Sequence, residues 1–126
     1  MDYFIEACGL DKLCGLIELN IHILSYNSLR TLSNVTASNS DNVLYFLGHE
    51  QILRTTLKNL DRDVADSACI SREACHVMTN AIETLYVDKL YDAISDLVEL
   101  DDFIVLRLFT DNIRRLHYNM IKIELL

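Results

Sequence analysis

The chain has 126 residues, 51% of them hydrophobic, and a formal net charge of −8. That length suits one domain burying roughly two-thirds of its unfolded surface. An acidic balance with the eleven basic residues scattered argues against nucleic acid, whose binding releases counterions through clustered cations. Three glycines and no proline argue against the many tight turns of a sandwich or barrel.

Met1 to Gly9 is short and apolar, a helical turn or two ending at Gly9. Asp11 to about Leu32 reads as the first long helix, on a stripe of Leu10, Leu13, Ile17, Ile21 and Leu24 widened by Leu16 and Leu19. Ser25, Asn27 and Ser28 weaken its far end, which puts the boundary near Tyr26. Ser33 to Asn42 reads as a linker, because its Ser, Thr, Asn and Asp side chains compete for their own backbone. Val43 to Leu47 is a dense apolar run before Gly48; with no strand partner elsewhere, it reads as a short helix started by Ser40 or Asp41.

His49 to Val64 returns to helical spacing at Leu53, Leu57, Leu60 and Val64, and Asp61 to Ile70 then loosens. The stretch Ser71 to Tyr86 is the centre of the chain. Its apolar residues Ala74, Val77, Met78, Ala81, Ile82 and Leu85 follow the i, i+3, i+4, i+7 pattern, with Ser71 as cap and Glu73 where the helix dipole favours an anion. Small residues with Met between them let other helices approach closely. Asp88 caps a further helix on Leu90, Tyr91, Ile94, Leu97 and Val98. Asp101 or Asp102 opens a last segment whose Leu106, Phe109, Ile113, Leu116, Met120 and Ile123 form a narrow seam like that of a coiled coil. The expected fold is an all-α compact bundle of five to seven helices around a central helix at about 71–86, in a single domain spanning 1–126.

No constellation carries chemistry. Cys8, Cys14, Cys69 and Cys75 lack the two-residue spacing of zinc knuckles or redox dithiols and read as free, mostly buried thiols. His22, His49, His76 and His117 lie on four segments, with no i, i+4 pair, and adjacent Cys75 and His76 point about a hundred degrees apart on a helix. Asp96, Glu99, Asp101 and Asp102 read as solvated helix-end carboxylates. No metal, cofactor or enzymatic activity is expected. Nor is a membrane span, since no window reaches the ~18 apolar residues required. Met1-Asp2-Tyr3 opens on an acid with no long apolar run behind it, so no signal peptide is expected. The Asn34-Val35-Thr36 sequon is then a chance match. Among the bases, Arg54, Arg62 and Arg72 flank the 61–70 bend, and Arg72, beside the cap of the central helix, is best placed to meet a carboxylate on an incoming helix.

Three stretches carry a family resemblance: Ile52-Leu53-Arg54-Thr55-Thr56-Leu57-Lys58-Asn59-Leu60-Asp61-Arg62-Asp63, the central Ser71–Tyr86, and Leu90-Tyr91-Asp92-Ala93-Ile94-Ser95-Asp96-Leu97-Val98-Glu99-Leu100-Asp101-Asp102. In this order they resemble the divergent Bcl-2-like apoptosis inhibitors of poxviruses and iridoviruses, particularly the myxoma-virus type. In that family a central apolar helix is wrapped by amphipathic ones, and a surface groove takes the BH-3 helix of pro-apoptotic proteins. The family's Asn-Trp-Gly-Arg is absent; Ser71-Arg72-Glu73-Ala74 stands in its place, with Ser71 matching the capping Asn and Arg72, two positions early, matching the Arg that pairs with the ligand's Asp.

The resemblance implies a viral protein that sequesters BH-3 helices of host pro-apoptotic proteins and inhibits apoptosis. It implies a host cytoplasmic location, with mitochondrial recruitment only through the partner. The groove residues it implies are Leu44, Phe46, Leu47, Leu53, Leu57, Leu60, Met78 and Ile82, with Arg72 meeting the ligand's acid; ordinary core is the other reading of each, and roughly half are expected to be that. A thinly covered helix face makes a homodimer a further expectation. Three alternatives stay open. One is a dimeric, groove-less version of the same fold that blocks innate immune signalling. Another is a helical structural or assembly protein using the 106–123 seam. The third is a small enzyme with a buried polar site.

Overall fold

The computed structural model describes residues 9–60 and 68–99, and every regular element among them is an α-helix. These are α1 (Gly9–Glu18), α2 (His22–Ser38), α3 (Ser40–Gly48), α4 (Glu50–Lys58), α5 (Ala68–Val87) and α6 (Tyr91–Val98). The opening segment before Gly9, the 61–67 stretch with Arg62 and Val64, and the 106–123 seam with His117 lie outside the described residues.

The expected first long helix is two helices. Asn20 adopts φ 56°, the left-handed region that Asn tolerates better than most residues, and its N–H donates to Ile17 O at 3.2 Å. The chain then folds α2 back on α1, where the Ser25 hydroxyl donates to Ile17 O at 3.3 Å. The stripe divides accordingly. Leu10, Leu13 and Ile17 are buried, whereas Leu16, Leu19 and Ile21, beside or within the corner, are exposed.

The expected linker at Ser33–Asn42 is also corrected. α2 runs to Ser38 and α3 starts at Ser40, with only Asn39 between them. Asn39 is the cap: its side chain accepts from Asn42 N–H at 2.9 Å. The Ser33 and Ser38 hydroxyls donate back to Arg30 O and Val35 O of their own helix, and α5 holds this end of α2 from outside. Asn80 Nδ2 donates to Ser33 O at 3.0 Å, Thr36 Oγ1 to Val77 O at 3.0 Å, and Thr84 Oγ1 to Thr36 O at 2.8 Å. The Ser40 hydroxyl donates to the Asp88 carboxylate. The C-terminal end of α2 lies beside that of α5, Ala37, Ser38 and Asn39 sharing one depression with Thr84, Val87 and Asp88, so α2 and α5 run parallel. Hydroxyls that weaken an isolated helix here satisfy carbonyls of a neighbour.

α5 is the hub, packing on α2, α3, α4 and α6. It begins at Ala68, earlier than its sequence cap suggested. Ser71 is therefore buried within its first turns and donates to Leu60 O at 2.9 Å. The stripe Ala74, Val77, Met78, Ala81, Ile82 and Leu85 is buried throughout. One core cluster draws on all six helices, including Leu10, Leu32, Phe46, Ile52, Val77 and Leu97; a smaller one joins Val43, Ala81 and Leu85.

α4 is rotated from its expected face. It buries Ile52 and Thr56, the Thr56 hydroxyl being satisfied by Ile52 O at 2.8 Å, and it leaves Leu53 and Leu57 half-buried on its flank. His49 starts it. Its Nδ1 accepts from Ile52 N–H at 3.2 Å, so the neutral ring carries its proton on Nε2, 2.7 Å from Asp11 Oδ1 on α1. Removing both contacts by His49→Ala is expected to cost about 1 kcal/mol in denaturant unfolding. His49→Asn, which keeps a cap acceptor, should recover most of that; equal losses would assign the effect to Asp11 instead. At the far end, Lys89 at φ 61° closes α5, and α6 has Leu90 as its N-cap with no side-chain cap bond, Asp88 being turned toward Ser40.

Candidate partner-binding groove

The run Val43 to Leu47 is apolar all round, and a helix of that kind must be covered on more than one side. Val43 and Phe46 point inward with no exposed surface. Leu44 and Leu47, three residues apart on another face, turn toward α6 and the start of α4. There they border a groove of about 300 Å³ with Gly48, Leu53, Ala93, Asp96 and Leu97. Leu44 is 43% exposed and Leu47 and Leu53 are half-buried, so the groove offers apolar surface without emptying the core. A Cβ built on Gly48 would meet nothing within 4 Å.

The structure therefore divides the sequence-derived groove residues. Leu44, Leu47 and Leu53 come together. Phe46, Leu60, Met78 and Ile82 are at most 5% exposed and belong to the core. Leu57 is half-buried and packs against that core, one turn along α4 from Leu53. Arg72 is exposed on α5 and is not among the groove-lining residues. The reason is helical geometry: Ser71 faces inward to Leu60 O, and the next residue points about a hundred degrees away. Arg54 is exposed and paired with Glu50 of its own helix at 2.6 Å. The wall made by Ala93, Asp96 and Leu97 was not anticipated; the i, i+4 pair Ala93 and Leu97 was its only sequence signal.

A second depression, of about 480 Å³, lies where the parallel α2 and α5 end, lined by Ala37, Ser38, Asn39, Asn80, Glu83, Thr84, Val87 and Asp88. Its lining mixes polar and apolar surface, unlike the mostly apolar groove beside Leu44. Exposed apolar side chains gather at two corners: Leu19, Ile21 and Ile23 between α1 and α2, and Tyr86, Val87 and Tyr91 between α5 and α6. The rings of Tyr86 and Tyr91 meet edge to face, 5.8 Å apart.

Among the described residues no group of three or more His, Cys, Asp or Glu is placed to hold a metal ion. No described helix is long and apolar enough to cross a membrane. His22 stacks on Tyr26, and His76 lies 3.7 Å from Glu73. Cys14 is buried, Cys75 half-buried and Cys69 exposed, none of them in a disulfide; Cys8 lies outside the described residues. Burial raises the Cys14 pKa; the Thr55 hydroxyl opposes it in part, and the nearby Glu18 and Asp11 carboxylates add to the rise. Mass-resolved alkylation near neutral pH should therefore label Cys69 first and Cys14 only on unfolding. Equal rates at the two sites would show that Cys14 is accessible in the native fold.

Comparison of the chain with protein-family models, with curated proteins and with solved structures gives no match.

Proposed function

We propose that this chain is a binding protein of the viral Bcl-2-like kind, which takes the BH-3 helix of a host pro-apoptotic protein in the α3–α4–α6 groove and so inhibits apoptosis. The observation that supports this reading is the convergence of Leu44, Leu47 and Leu53 on an open apolar groove faced by Ala93 and Leu97. An amphipathic helix lays apolar anchors at i, i+3, i+4 and i+7 into a groove of that kind. The work assigned to this apolar groove is sequestration.

Calorimetric titration of the purified chain against a panel of BH-3 peptides tests the reading. Micromolar or tighter binding to at least one peptide is expected, with Arg72→Ala leaving it unchanged because Arg72 does not line the groove. Silence across the panel would overturn the proposal.

A second reading, a dimer that blocks innate immune signalling, draws on the exposed apolar corners. It requires a stable dimer in light scattering, together with failure of every peptide to bind.

A further inference from the structure

The chemistry of the groove's edge bears on which helices it accepts. Asp96 lines the groove beside Ala93 and Leu97. Asp92 lies four residues before it and Glu99 three after, so the three carboxylates follow one edge of the α6 wall. On the opposite wall, Asp41 precedes Leu44 by one turn of α3. All four are exposed, and none forms an ion pair with a described cation. The base nearest in sequence to a lining residue is Arg54, and Glu50 already pairs with it.

From this we infer that the groove selects amphipathic helices whose polar edge is basic: the occupant carries Lys or Arg beside its apolar anchors. The inference rests on the reading of the groove as a helix-binding site. A ligand cation reaching the α6 edge meets carboxylates that no described cation pairs, whereas a ligand carboxylate meets like charge in a chain of net charge −8. Selectivity comes from that difference, while Leu44, Leu47 and Leu53 supply the area that holds any helix. The edge therefore sets which helix enters, and how fast it does so at low salt.

The test uses the full chain and three synthetic helical peptides with one apolar face. Their flanking polar positions carry lysine, glutamine or glutamate, and their helicity is matched by circular dichroism. Fluorescence anisotropy should rank lysine above glutamine above glutamate, with about a tenfold gap between the extremes that narrows in ~0.5 M salt. Asp96→Asn should narrow the gap between the lysine and glutamate peptides. Glu83→Gln, an equal change of charge at an exposed residue that lines the second depression and not the groove, should leave the gap intact.

If the three peptides bind alike, yet all are weakened by Leu44→Gln, the groove reading stands and the charge selection falls. Glu83→Gln and Asp96→Asn acting equally would assign the preference to net charge and overturn the edge. Binding of none of the peptides overturns both readings. A dimer in light scattering that Leu44→Gln dissociates makes a second copy the occupant, and that overturns the inference too.

Discussion

Phe46→Ala is expected to destabilise the chain by about 3–5 kcal/mol, the range for removing a large aromatic side chain from a packed interior. Phe46 has no exposed surface and joins the cluster that draws on all six described helices, so its removal leaves a cavity that no single side chain can refill. Domains of this size are stable by only about 5–15 kcal/mol, so the variant should sit near its unfolding threshold at 37 °C. Urea unfolding followed by far-ultraviolet circular dichroism measures this directly, with the midpoint falling and the slope unchanged. A cost below about 1 kcal/mol would place Phe46 on a yielding surface, as a groove residue would be.

Leu44→Gln, two positions earlier, should do the reverse. The side chain is partly exposed, so stability should change by no more than about 0.5 kcal/mol. Helix affinity should nevertheless fall roughly tenfold or more, because a fully covered leucine contributes about 1.5–3 kcal/mol of burial that an amide cannot replace. Glutamine is the right choice over glutamate, which would also alter the charge of the groove edge. Unchanged affinity with unchanged stability would mean that the helix binds elsewhere. Together the two variants separate the interior from the docking surface within one turn of α3.

That separation is where the sequence was least legible. A run that is apolar at every position from Val43 to Leu47 has no phase, so nothing in it distinguishes Phe46 from Leu44. The centre of the bundle was legible for the opposite reason: the α5 stripe has a clear helical phase, and each of its six positions is buried. The Ser33–Ser38 end of α2 was misread because local propensity favours a turn there, whereas the deciding partners, Asn80 and Thr84, lie more than forty residues away. Asn20 did carry the left-handed turn chemistry that divides α1 from α2, but an unbroken apolar stripe across it outweighed that signal. Half of the groove was legible as apolar residues near Gly48. The α6 wall was not, because its approach to α3 and α4 depends on how α5 turns at Lys89.

The parallel pairing of α2 with α5 sets an order of events. Two parallel helices cannot form a hairpin; the chain must cross over through α3 and α4 before α2 meets its main partner. Contacts such as Ser33 with Asn80 and Thr36 with Thr84 close loops of more than forty residues, which slows folding relative to an up-and-down bundle. Until α5 arrives, the Thr36 and Ser40 hydroxyls have only water and local backbone to bond, and the Ser33 carbonyl lacks the Asn80 amide. The last two turns of α2 are thus conditional helix. On a ribosome that has not yet released α5, they remain the polar coil that their composition describes.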